Sequence, residues 1–302
     1  MLTFFTTAKA FQGHSAVIQR NALKSWKLLH PDVEVILFGN EEGTAEVCAE
    51  LDLRHEPHVE RHESGMKYLS YLFEQAQKLA RHDYLCYSNC DIVLMGDFFA
   101  AFKKAKNWRE CFLLVSRRWD TDVTEPIDFS RENWERGVRQ LALNGNMLQH
   151  FHFVDFFVFR KGLYDTVPPL VVGRSYWDHW LVWKALAAGA AVVDASPFVM
   201  AIHQNHGYAY HPQGKEGTNE DSLAKRNLEL AGDGVQQRSI FDATHTLGRY
   251  GRIRWSPFHR TMLSVPVQRV AQTLLIKSLW MRRRLGLRRE TLDRAMGYKV
   301  EH

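Results

Sequence analysis

The chain has 302 residues, 45% hydrophobic and 24% charged, with a formal net charge of +5. That composition excludes a disordered or fibrous chain and leaves a globular protein with enough apolar mass for a sizeable core. The charge is uneven: residues 251–302 carry twelve Lys/Arg against three Asp/Glu while the first 250 are mildly acidic, which excludes a nucleic-acid surface spread over the body.

Residues 2–7 read as a first strand. No basic stretch precedes their apolar residues, so they do not form a signal peptide. Residues 15–29 have helical spacing, with Ser15 as the expected cap. VEVILFG (33–39) is a strand, 43–51 a helix, and LRHEPHV a short strand and loop. Residues 66–80 form an amphipathic helix. YLCYSNCDIVL (84–94) is a strand apolar on both faces, followed by a helix near 97–106 and the strand CFLLVSRR (111–118). This alternation predicts parallel βαβ units, with ligands bound beyond the carboxyl ends of the strands. Further on, 131–143 reads as a helix, 151–159 as a strand carrying Asp155, and 175–189 as a helix ending at Gly189. Residues 190–208 read as one or two strands, and 211–222 as a mobile loop. No apolar run approaches the roughly 18–20 residues of a spanning helix. Cys48, Cys86, Cys90 and Cys111 make no CxxC pair and read as buried free thiols of a reducing compartment. The expected location is the cytoplasm, with a place on a membrane surface left open.

Four groups of residues carry chemistry. Asn89 and Asp91 sit at the ligand end of a core strand, where alternation puts them on one face. An aspartate is rarely buried without a partner, and a divalent cation would supply one. His203, His206 and His211 lie close in sequence; one of them completing a metal site is the more economical reading, since the spacing fits no zinc motif. Asp178 lies among Tyr176, Trp177 and Trp180 at a helix start: a capping carboxylate, or a general base desolvated by aromatic neighbours. Arg117 and Arg118 end a strand, either as surface ion pairs or matched to a pyrophosphate. Gly-rich phosphate loops and a GxSxG elbow are absent.

In this order the pieces resemble a GT-A-fold glycosyltransferase, and QRNALKSW, ILFGNEEG, SNCDIVL, SRRWD, VDFFVF, GRSYWDHWLV and IHQNHGY resemble phrases of bacterial proteins assigned as glycosyltransferases. The resemblance covers roughly residues 2–212. It implies an α/β fold with a mixed GT-A-like sheet flanked by helices. The nucleotide-binding half is 1–118, the acceptor and metal half 119–212, and a loop and extension 213–250. A basic helical tail at 251–302 would follow. It also implies Mn²⁺ or Mg²⁺ held by Asp91 and His203, with Asn89 and His206 as weaker candidates. Asn89 stands where the family's Asp-x-Asp element begins with an acid. The UDP- or GDP-sugar donor would be held by Thr6, Thr7, Phe38, Gly39, Asn89, Arg117, Arg118 and Arg174. Asp178 would be the base of an inverting reaction, or a sugar or acceptor binder in a retaining one, with Asp155 as the rival carboxylate. The acceptor would be a glycan or lipid-linked glycan.

The alternatives are a sugar-phosphate nucleotidyltransferase, a metallohydrolase using the histidines, and an inactive membrane- or RNA-binding module. The tail raises the last: 265–292 combines an apolar stripe with many arginines, a pattern of helices that lie on anionic membranes and also of stripes packed on a domain.

Overall fold

β1 (Leu2–Thr7) is apolar throughout because both of its faces are covered. Phe4 stacks on Trp26 of α1 (Gly13–Lys27) with ring centroids 5.0 Å apart. Phe5, one residue on, points the other way and meets Phe73 of α3 (Leu69–Leu79) edge-on at 4.9 Å. Such ring contacts add about 0.5–1.5 kcal/mol each beyond burial. The structure, a computed structural model, describes residues 1–145, 148–149, 152–207, 221–232 and 238–256.

β1 lies within a nine-stranded sheet. On one side of it are β2 (Glu34–Phe38) and then β3 (Arg54–Glu56). On the other side come β4 (Tyr84–Ser88), β8 (Phe156–Arg160), β6 (Phe112–Val115) and β9 (Ala191–Asp194), then β11 (His245–Leu247) and β12 (Ile253–Trp255). β1 to β4 are parallel where they pair, as βαβ units require. β8 runs antiparallel to both neighbours, which makes the sheet mixed. One face packs on α1 and α4 (Gly96–Trp108), with Trp26, Phe98 and Phe102 in the core. The other packs on α3 and α6 (Trp177–Ala187), through Phe73, Trp177 and Leu181. α2 (Thr44–Leu51) packs beside α1, and α7 (Ser222–Ala231) beside α6.

A second sheet holds three strands: β5 (Ile92–Val93), β10 (Ala201–Gln204) and β7 (Arg118–Thr121). α5 (Trp134–Gly145) covers it. Two runs read from sequence as single strands are each divided between the sheets. YLCYSNCDIVL leaves the large sheet at Ser88 and joins the small one at Ile92; CFLLVSRR leaves at Val115, and its continuation joins at Arg118. Asn89 and Asp91 are therefore turn residues between two sheets, not neighbours on one strand face.

Other boundaries move too. α1 starts at Gly13 with Gln12 at the cap position, so Ser15 lies inside the first turn and caps nothing. α3 starts at Leu69, because Lys67 and Tyr68 make β-bridges to Arg61 and Val171 instead. The limit drawn at residue 250 falls inside the β11–β12 hairpin. Cys111 is exposed, whereas the other three thiols are buried. Residues 208–220, with His211, and the tail beyond 256 lie outside the described residues. Among those described, no helix is long and apolar enough to cross a membrane.

Candidate active site

The carboxyl ends of β1 and β4 and the two-sheet junction open into a cleft of about 650 Å³. A chain of polar and charged groups runs along its floor and behind it. Asn89 Nδ2 donates to Asp155 Oδ1 at 2.7 Å, and Arg118 Nη1 donates to Asp155 Oδ2 at 2.9 Å. Arg118 Nε donates to Asp120 Oδ1 at 2.8 Å. The same Asp120 oxygen lies 3.1 Å from His203 Nδ1. His203 Nε2 is 3.8 Å from Asp91 Oδ2, and His206 Nε2 is 3.0 Å from it.

Asp91 is the end point of that chain. Burial alone would raise its carboxyl, but the His203 and His206 imidazoles and the Arg118 guanidinium outweigh burial and hold it well below the usual range. Its Oδ1 is buried with no hydrogen-bond partner. Ligand atoms of Asp91, His203 and His206 lie within 4.8 Å of one another. One carboxylate and two imidazoles, with a buried oxygen left over, fit a divalent cation. His203 reaches this point from β10 and His206 from just beyond it, while Asp91 comes from the turn before β5.

Arg118 and Arg117 part company where the run changes sheets. Arg118 faces the cleft; burial opposes its charge, but Asp155 and Asp120 keep it protonated. Arg117 turns away, and its Nε donates to Gln149 O at 2.7 Å. The expected pair of arginines on one phosphate is therefore not assembled. Asp155 is buried with both oxygens engaged, which makes it an anchor for Asn89 and Arg118.

Asp178 lies in the first turn of α6, with about a fifth of its side chain open to the cleft. Burial raises its carboxyl, opposed by the neighbouring His179 and reinforced by Asp155. Tyr176 precedes it with φ at 83°, a left-handed conformation costly for a side chain of that size. Arg174 also lines the cleft and donates from Nε to Asp221 Oδ2 at 2.6 Å.

At the ends of β1 and β2 the expectation divides. Thr7 lines the cleft. Thr6 is buried behind it, donating to Ser88 O at 2.6 Å, and Phe38 is core. Gly39 does not line the cleft but shapes it. With φ at 111° it sits against Glu41 and Lys67, where a Cβ would collide with the Glu41 carboxylate.

Lys67, Glu41, Arg61, Lys9 and Asp120 were not foreseen, and the first four line the cleft. Lys67 is buried, donates to Thr7 Oγ1 and, at 2.9 Å, to Ala8 O, and pairs with Glu41 Oε1 at 2.6 Å. Reading 66–80 as one helix hid this residue on a helix surface. The i,i+2 spacing of Arg118 and Asp120 is visible in the sequence and points to Asp120. Lys67→Met is expected to destabilise the fold by about 1–3 kcal/mol, because Glu41 loses its buried partner and keeps only the more exposed Arg61. Urea denaturation measures this; an unchanged midpoint would mean the ammonium contributes nothing net.

No protein-family model matches the sequence, and no curated protein matches it. Among solved structures, Staphylococcus aureus TarS 1–349 is 10% identical over 67% of this chain and 60% of that one, with a TM-score of 0.44. This chain thus spans about 60% of that relative's length. Mycobacterium tuberculosis glucosyl-3-phosphoglycerate synthase is 12% identical over 75% of this chain and 77% of that one, with a TM-score of 0.45. The same synthase in complex with Mn²⁺, uridine diphosphate and glucosyl-3-phosphoglycerate gives 14% identity over 68% and 72%, with a TM-score of 0.41. TM-scores below 0.5 make these distant likenesses.

Proposed function

We propose that the protein is a GT-A-type glycosyltransferase. It would move a sugar from a UDP- or GDP-sugar to a hydroxyl of a glycan or lipid-linked glycan. One observation carries the reading: Asp91, whose buried oxygen has no partner, meets two imidazoles in the same cleft as Asp178, a carboxylate made more basic by burial.

The residues divide the work. Asp91, His203 and His206 would hold Mn²⁺ or Mg²⁺. When bound, that cation supplies positive charge to the departing diphosphate. Asp120, against His203 Nδ1, keeps Nε2 turned toward Asp91, and Arg118 ties Asp120 to Asp155. Thr7, Lys67 and Glu41 present donors and acceptors for the nucleoside. Asp178 takes the proton of the acceptor hydroxyl at its carboxylate.

The test is incubation with a panel of sugar nucleotides and Mn²⁺. Release of nucleoside diphosphate supports the reading. Release of pyrophosphate from a nucleoside triphosphate and a sugar phosphate would move the protein to the nucleotidyltransferases. No turnover and no nucleotide binding would leave an inactive module.

A further inference from the structure

The end of α4 and the β11–β12 hairpin make a second surface, and none of the residues named below lines the cleft. Trp108 closes α4 and packs on His245 at 4.7 Å, and His245 stacks on Trp255 at 4.3 Å. His245 is buried, but Trp108 and Trp255 remain 39% and 54% exposed. Tyr250, at the hairpin turn, is 80% exposed. Hairpin and helix meet nearby, where Gly251 abuts the Lys104 side chain. Arg109 lies over the Trp108 ring and Arg249 over the Tyr250 ring, 5.9 and 4.7 Å from their centroids, and Arg252 and Arg254 are exposed on the same hairpin. The two contributing segments, 103–109 and 243–256, contain no acidic residue.

We propose that this face docks on the surface of an anionic lipid bilayer. The inference does not depend on the glycosyltransferase reading. Exposed large aromatics gathered beside one another mark an interaction site on a protein surface. The surrounding cations decide what kind. Against a protein partner's apolar patch they would have to be desolvated. At a bilayer they meet lipid phosphates while still hydrated, and Trp and Tyr settle at headgroup level with an apolar body and a polar tip. The seven Lys/Arg of these two segments complement an anionic surface, and the adjoining Glu110 is engaged by Arg160. The sequence continues the theme, since the chain passes from Trp255 toward the arginine-rich stretch 265–292.

The test uses the full-length chain, because ending it at 250 would remove β12. Protein is sedimented with vesicles of phosphatidylcholine, alone and with phosphatidylglycerol. The parent is expected to partition only onto the anionic vesicles, and less so in high salt. Arg249→Glu/Arg252→Glu/Arg254→Glu is expected to weaken partitioning by roughly 50-fold or more. The corresponding triple Arg→Lys variant keeps it. Trp108→Ser/Trp255→Ser is expected to weaken it by about 10-fold with the salt dependence retained, and to reduce quenching of tryptophan fluorescence by brominated lipid. Thermal melting of each variant should match the parent. The proposal is overturned if the parent ignores anionic vesicles, or if the variants partition like the parent, which would assign any binding to the chain beyond 256. It is overturned equally if binding falls only together with the melting temperature, or if the same variants lose affinity for single-stranded RNA while the parent shows no vesicle partition.

Discussion

Asp91→Ala is expected to abolish turnover, by roughly 10³-fold or more, and to remove the metal-dependent part of nucleotide binding while the fold survives. The size follows from the several kcal/mol of charge stabilisation that a bound cation gives a departing diphosphate. Survival of the fold follows from the position: Asp91 lies in a turn between two sheets, and its carboxylate faces the cleft, not the apolar core. The substitution removes a buried charge and leaves Asp120 in place 3.1 Å from His203 Nδ1. Calorimetric titration of UDP and GDP with and without Mn²⁺, together with direct Mn²⁺ binding by electron paramagnetic resonance, reads the effect. An Asp91→Ala protein that binds nucleotide and Mn²⁺ as the parent does would falsify the assignment.

The second large effect is expected at Asp178. Asp178→Asn keeps the shape and removes the basicity, and kcat is expected to fall by roughly 10²-fold or more with donor affinity little changed. Burial raises the carboxyl, so the parent's rate falls as pH drops through a pKa above the ordinary aspartate value; only the deprotonated form accepts a proton. That acidic limb disappears in the variant. The measurement is kcat against pH for both proteins. A variant retaining most activity and the same profile would deny Asp178 the role of base. Asp155 is a weak substitute, since Asn89 and Arg118 occupy both its oxygens.

Much of the fold was legible because burial writes itself into local pattern. LTFFTT is apolar throughout, and the structure buries it on both sides. The 3.6-residue spacing in 15–29 placed a helix with Trp26 inward. What local pattern does not encode is which sheet an apolar run belongs to. Leu85 and Ile92 look alike in sequence, yet they pair in different sheets. Strand direction is equally silent, so β8 running antiparallel between β4 and β6 could not be read from its own residues. At the candidate site, Asp91 stood out as a carboxylate in an apolar run. Asp120 and Lys67 did not, because each sits among polar residues where a charge is unremarkable until its partner is known. The same limit explains Arg117 and Arg118, adjacent in sequence but on opposite sides of a change of sheet.

The bond from Asn89 to Asp155 bears on how such a site changes over evolutionary time. An aspartate at 89 would set a second carboxylate about 2.7 Å from that of Asp155, in a largely buried place served by one guanidinium. Either position can change charge only if the other compensates. Positions 89 and 155 are therefore expected to change together, so that homologues with Asp at 89 carry an uncharged residue at 155. The pair would appear as correlated columns in an alignment of homologues, and independent variation of the two would argue against the coupling.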